Sequence, residues 1–219
     1  IGLPYGNVPR LLLAWLTTEA VRTRSRELVL GDSLSAFIRE LGMGAASGGP
    51  KGTITRLKSQ ITRLFSSTIS CTYEDADRTA LVGYRVADRA MLWWSAKRPD
   101  QAALWESTVT LTEAFYNEVI NRPVPIDMRA LRALKSSPLA IDIYTWLTYR
   151  MSYLHQPTTI PWAVLAAQFG SDYTRTRAFK AAFLAELVRV QTVYHQAEAE
   201  SVPAGLILRP SRPHIARKK

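Results

Sequence analysis

The chain resembles itself, and that repeat restricts the fold more than any other feature. Leu11 to Glu19 aligns with Asp142 to Arg150, so that Trp15, Leu16 and Thr17 fall on Trp146, Leu147 and Thr148. Downstream, Ser33, Leu34, Phe37 and Leu41-Gly42 fall on Pro161, Trp162, Leu165 and Phe169-Gly170. Further on, Leu57, Lys58, Ile61 and Phe65 fall on Phe179, Lys180, Phe183 and Leu187. Chance gives a shared Trp-Leu-Thr but hardly the later matches in the same order. The chain therefore reads as two copies of one supersecondary unit, and the repeat predicts Trp15 and Trp146 at equivalent buried positions.

A length of 219 residues agrees with two domains, each long enough to bury about two-thirds of its unfolded surface without metals or disulfides. We place them at residues 1–112 and 113–219. Hydrophobic residues at 47% and charged residues at 21% exclude disorder or a coiled coil as the main state. The single cysteine, Cys71, excludes an internal disulfide framework and a multi-cysteine zinc site, and fits a reducing compartment. No apolar run approaches the ~20 residues of a membrane span. The start at Ile1 rather than methionine reads as a trimmed fragment, in which any native N-terminal segment would be invisible.

Within each copy the elements follow one order. In the first, Leu11 to about Arg22 is a helix with Pro9 near its start, and Arg26 to Leu30 a short strand. Asp32 or Ser33 caps a helix that ends at Gly42. A loop rich in Gly, Ala and Ser follows. Thr53 to Ser67 is the next helix, with Ile54, Leu57, Ile61, Leu64 and Phe65 on one face. Thr68 to Tyr73 and Leu81 to Trp94 read as strands around a polar turn. In the second, the helices are Pro138 to Leu154, Pro161 to Gly170 and Tyr173 to Val190, with a short strand at Thr158 to Ile160. Val193 to His195 and Leu206 to Leu208 read as strands around a polar hairpin. Between the copies, Glu106 to Phe115 reads as a strand and Asn121 to Asp127 as a linker. Helix, strand, helix, turn, helix and β-hairpin is the order of a winged helix, whose second helix of the pair enters the DNA major groove. The expected fold class is α+β and helix-rich, with two tandem winged-helix domains.

Charge points to a polyanion. Lys and Arg total 28 against 18 Asp and Glu, a net charge of +10. Leu41 to Tyr73 contains no acid but holds Lys51, Arg56, Lys58 and Arg63. Gly205 to Lys219 contains none either but holds Arg209, Arg212, Arg217, Lys218 and Lys219. Acid-free basic windows suit surfaces that face nucleic acid. Helical phase turns Arg56, Ser59 and Arg63 away from the core, with Thr55 beside them. In the second copy it turns out Thr174, Arg177, Ala178, Ala181 and Ala185, flanked by Arg175 and Arg189. Guanidiniums suit phosphates and guanine edges, and alanine methyls suit close approach to thymine. The bland reading of both faces is ordinary solvated helix surface. Lys51, at the next helix start, can hold a phosphate.

Catalytic motifs do not hold up. Gly31-Asp32-Ser33-Leu34 spells a GDSL-esterase signature, but His155, His195 and His214 lack the Asp-x-x-His spacing such an enzyme needs. Ser33 is better read as a helix cap. The loop Gly44 to Thr53 departs from a Walker motif at Pro50, and no cluster has metal-ligand spacing. No enzyme activity, cofactor or metal is expected. Trp93, Trp94 and Trp105 read as core or interface anchors.

Several long segments resemble one family. Gly2-Leu-Pro-Tyr-Gly6, Pro9 to Leu13, Thr18 to Thr23, Ser25 to Leu28, Pro123 to Asp127, Ala140 to Leu147, Ile160 to Trp162, Gln168 to Gly170 and Pro210 to Pro213 are similar to the plasmid-encoded RepA replication initiators. The resemblance implies binding to repeated sites (iterons) in double-stranded DNA at a plasmid origin. It also implies origin opening, recruitment of host replication initiator and helicase proteins, and a cytoplasmic location in bacteria, with no membrane partner. Across plasmid initiators two winged helices are common, one serving dimerisation and backbone contact and the other reading the iteron, so a homodimer is one expected assembly. The expected DNA contacts are Lys51, Thr55, Arg56, Ser59, Arg63, Thr174, Arg175, Arg177, Ala178, Ala181, Arg189, Arg209 and Arg212. A winged-helix transcriptional repressor is the alternative reading.

Overall fold

The computed structural model describes residues 2–74, 79–102, 106–170 and 173–215. The fold is α+β, with helices packed beside small antiparallel sheets. The chain forms two compact units, Ile1–Pro123 and Val124–Lys219. The division falls later than the expected 112/113 boundary because the helix after residue 112 packs on the first helix of unit 1.

Unit 1 opens with α1 (Asn7–Thr23), then β1 (Glu27–Val29), α2 (Leu34–Glu40) and α3 (Thr53–Ser66). The α1 core face carries Leu11, Leu12, Trp15 and Leu16, all buried. Each such leucine contributes roughly 1.5–3 kcal/mol by leaving water. Ser33 caps α2, its Oγ accepting the Ala36 N–H at 3.2 Å, which satisfies a donor that the first helical turn leaves unpaired. Ser33 thus has the helix-capping role that its position predicts.

After α3 the chain departs from the expected hairpin. β2 (Thr68–Glu74) and β3 (Thr79–Arg85) pair only with each other, while β4 (Ala87–Met91) and β5 (Thr108–Leu111) join β1 in a sheet of order β1-β5-β4. The run Leu81 to Trp94, expected as one strand, breaks at Val86. Val86 and Ala87 are buried there, so the chain leaves one sheet and enters another. The expected strand Glu106 to Phe115 survives only as β5. Thr112 then caps α4 (Glu113–Asn121), accepting the Phe115 N–H at 3.2 Å and donating to the Arg85 carbonyl at 2.6 Å.

Unit 2 holds α5 (Met128–Leu134), α6 (Pro138–Met151), β6 (Thr158–Pro161), α7 (Trp162–Phe169), α8 (Thr176–Val193), β7 (Ala199–Val202) and β8 (Gly205–Leu208). Its sheet has the order β6-β8-β7. Sequence reading missed α5, whose N-terminus Asp127 caps by accepting the Arg129 N–H at 2.7 Å. The strand expected at Val193 to His195 is instead the last residue of α8, its C-cap Tyr194 and a turn at His195, because Val190 and Tyr194 are both buried and anchor the helix end in the core. The strand begins only at Ala199, inside the stretch expected as polar hairpin. Where β8 crosses β6, a Cβ on Gly205 would collide with the Ile160 carbonyl, so only glycine permits that approach.

Each unit contains a helix, a strand and two further helices in that order, α1-β1-α2-α3 in unit 1 and α6-β6-α7-α8 in unit 2, and a later strand returns to pair with β1 or β6. Trp15 is buried and meets the Phe37 ring edge-on at 5.0 Å. Trp146 is only half-buried and meets Phe169 at 5.5 Å. Trp15 thus packs on α2 and Trp146 on α7, with unequal burial.

Candidate nucleic-acid interface

In unit 2 the expected face is open. α8 turns Phe179, Phe183, Leu187 and Val190 into the core, all at most 3% exposed. That registration leaves Arg177, Ala178, Ala181 and Ala185 exposed on the opposite side. Thr174 and Arg175 precede the helix, Arg175 standing at its N-cap without a side-chain cap bond, and both are exposed. Arg189 is engaged elsewhere: it donates to Glu186 at 2.7 Å and to the Ser136 hydroxyl at 2.6 Å. It ties α8 to the α5–α6 connection.

A tryptophan links this helix to the β7–β8 hairpin. The Trp162 indole N–H donates to the Val202 carbonyl at 3.1 Å, and the Lys180 ammonium lies 4.7 Å from the centre of its ring. The same ring meets Phe183 in an edge-on contact at 6.0 Å. One side chain therefore fixes the hairpin against α8.

Unit 1 differs. Lys51, Thr55, Arg56 and Ser59 are exposed, but part of the α3 flank is occupied by the chain's own N-terminus. Tyr5 donates its backbone N–H to Gln60 at 2.9 Å. Arg63 donates to the Leu3 carbonyl at 3.2 Å and stacks over the Tyr5 ring at 5.3 Å. Arg56 donates to the Asn7 side chain at 3.2 Å. Gln60 is buried, so its amide serves this strap and not solvent. Gly2 and Gly6 take positive φ of 78° and 75°, bending the strap onto the helix. A Cβ at Gly2 would collide with Arg63. The sequence signal for this strap was the paired glycines of Gly2 to Gly6, which helical phase could not connect to α3.

The tryptophans of the loop after β4 separate in burial: Trp94 is buried against Phe37 at 5.1 Å, whereas Trp93 is 48% exposed. Trp105 lies outside the described residues. Arg209 pairs with Glu200 across the hairpin at 2.9 Å. The Arg212 side chain is exposed and its carbonyl accepts from the Tyr194 hydroxyl at 2.7 Å.

Electrostatic perturbation concentrates away from the α8 face. Arg129 beside Asp127 holds that carboxyl below its usual range, and burial pushes the Tyr194 hydroxyl up to about 12. Among the described residues, no group of His, Cys, Asp and Glu could hold a metal ion, and no helix is long and apolar enough to cross a membrane.

Three comparisons bear on kinship. No curated protein matches the chain. In fold, the chain is similar to the crystal structure of the RctB domains 2-3, RctB-155-483, with a TM-score of 0.53 over 94% of this chain and 81% of that one, at 12% identity. The sequence profile described as "plasmid encoded RepA protein" matches residues 3–164. That span takes in all of unit 1 after Gly2 and unit 2 through the first turn of α7, and on that match the chain belongs to the family of plasmid-encoded RepA proteins.

Proposed function

We propose that this protein is a plasmid replication initiator built from two tandem winged helices. It binds iterons in double-stranded DNA at the plasmid origin, promotes opening of the adjacent duplex and recruits host replication proteins. It does so without a catalytic site of its own. The observation that carries this reading is the α7–α8 pair with its sheet. The strand order β6-β8-β7 beside a helix pair fits the arrangement expected of a winged helix and supports this reading. The second helix of the pair offers exposed Arg177, Ala178 and Ala181 where such a helix meets base edges. Family membership supports the plasmid setting.

In this reading unit 2 reads bases and unit 1 supplies backbone contacts. The α3 arginines suit the second task because the strap already holds Arg63 and Arg56 on the flank of the helix. Lys51, Thr55 and Ser59 stand on the same side as phosphate ligands. Opening of an origin is work done by binding energy on DNA, so the protein needs no nucleophile or metal for it. Pyrimidine–purine-rich, easily unstacked DNA next to the repeats would lower that cost.

Footprinting on the DNA that flanks its gene tests this reading. Regular protection of several direct repeats is expected. Protection of one promoter palindrome instead would favour the repressor, and no protection at all would overturn both.

A further inference from the structure

Lys180 stands where α7, α8 and the β7–β8 hairpin meet, and Trp162 makes the junction. β6 ends at Pro161 opposite Gly205, so Trp162, which opens α7, lies beside the hairpin turn. Its indole N–H donates at 3.1 Å to the carbonyl of Val202, the last residue of β7. The Lys180 ammonium lies 4.7 Å from the centre of its ring, and Phe183 meets the ring in an edge-on contact at 6.0 Å. The tryptophan is 7% exposed, so these contacts fix its orientation. Lys180 itself is half-buried and follows Arg177 by three positions, which puts the two cations on neighbouring turns of one flank of α8.

The hairpin brings no cation of its own. From Val190 to Leu208 the sequence has no Lys or Arg, and Glu198 and Glu200 are exposed. Arg209, just past β8, is paired with Glu200 at 2.9 Å, and Arg189 on α8 with Glu186 at 2.7 Å. A hairpin of this charge is repelled by a phosphate backbone unless a cation stands between them. Lys180 meets that need. A ring face carries no net charge, so the contact with Trp162 orients the ammonium without cancelling its charge. A carboxylate partner would have cancelled it, as in the two arginine pairs.

We propose that Lys180 binds a backbone phosphate of duplex DNA between α8 and the hairpin, and that Trp162 is the residue that positions it. The ligand rests on the proposed function; the positioning by Trp162 does not. The phosphate at that place bounds the groove that Arg177 faces, so Lys180 sets the register of α8 on the duplex while Arg177 meets base edges. Helical phase conceals Lys180 because it adjoins the fully buried Phe179 at the edge of the core stripe.

Salt titrations of the full chain on the origin repeat and on a random duplex test the contact. Lys180→Met keeps an unbranched apolar stem over Trp162 and removes the charge. It should make the log–log slope shallower by about 0.9 on both duplexes, the share of one phosphate, while Lys180→Arg should hold the wild-type slope. A Lys180→Met slope equal to that of the wild type, whatever the melting temperature does, overturns the phosphate contact. Positioning is read from coupling. Trp162→Leu keeps apolar bulk but has no ring face and no N–H. In that background Lys180→Met should change the slope by much less than about 0.9; the same change as in the wild type overturns the role of Trp162. A measurement without DNA decides that role even if Trp162→Leu fails to fold. In the wild type the Lys180 ε-methylene protons should resonate upfield of those of an exposed lysine, shifted by the indole ring, and an unshifted signal overturns the positioning. If the wild type binds neither duplex, the proposed function and the phosphate contact fall together. If it binds and Lys180→Met leaves the slope unchanged, the phosphate contact alone falls.

Discussion

Two arginines that helical phase treats alike have different surroundings, and their variants should differ. Arg177 projects from the exposed side of α8 beside Ala178 and Ala181. If it meets a guanine edge, Arg177→Ala should cost about 1–3 kcal/mol on the origin repeat and little on random DNA. Equal losses on the two DNAs, measured by titration at fixed salt, would make it a phosphate contact. Arg63 is bound to the Leu3 carbonyl and the Tyr5 ring. Arg63→Ala should therefore weaken binding to both DNAs alike and also release the strap, read as faster proteolysis before Asn7. An intact strap in that variant would mean that the Tyr5–Gln60 bond suffices to hold it. Periodicity placed both arginines outward because it sees only the core-facing stripe. It cannot see a neighbour contributed by a segment about 60 positions away in sequence.

At the scale of elements, β2–β3 is a separate hairpin between α3 and β4 of unit 1. In unit 2 the chain passes from α8 to β7 with no hairpin between. Thr68 and Arg85 are cross-strand partners, so their Cα atoms are about 5 Å apart. Replacing Ile69 to Tyr84 by a two-residue turn should leave the rest of unit 1 folded. The loss includes the Tyr84 ring against Phe115 at 6.1 Å, a contact worth roughly 0.5–1.5 kcal/mol. A melting temperature lowered by about 4–8 °C per kcal/mol is the expected readout; complete unfolding would show that the hairpin is part of the core. The same hairpin explains where sequence reading stopped. Helices α1, α2 and α3 of unit 1, α6, α7 and α8 of unit 2 and the strands at Glu27 and Thr158 were legible, since their caps and apolar periods are local. Which strands pair was not. β1 joins β5 across most of unit 1, and strand partners at that separation leave no mark in local pattern. The candidate site was legible to the same depth: the exposed stripe of α8 follows from Phe179, Phe183 and Leu187, while the strap and the Arg189 pairing depend on distant chain.

For the molecule as a whole, charge sets how it should respond to salt. The net charge is +10, and the exposed cations of the two acid-free windows lie on more than one surface, from Lys51 and Arg56 to Arg212. Each phosphate neutralised by such a group releases counterion from the duplex and adds about −0.9 to the slope of log affinity against log salt. With ~6–10 contacts, affinity should fall by ~10³–10⁵ between 50 and 200 mM salt. The measurement is anisotropy of a labelled duplex carrying the origin repeat, repeated on a scrambled duplex. The two lines should run nearly parallel and be offset by the specific term, because phosphates are common to both and base edges are not. A flat response on both would remove these cations from the interface and, with them, the physical basis for reading the basic windows as DNA surfaces. Lines that converge at high salt would instead mean that the origin repeat is held mainly by charge, and that Arg177 and its alanine neighbours contribute little to choosing the site.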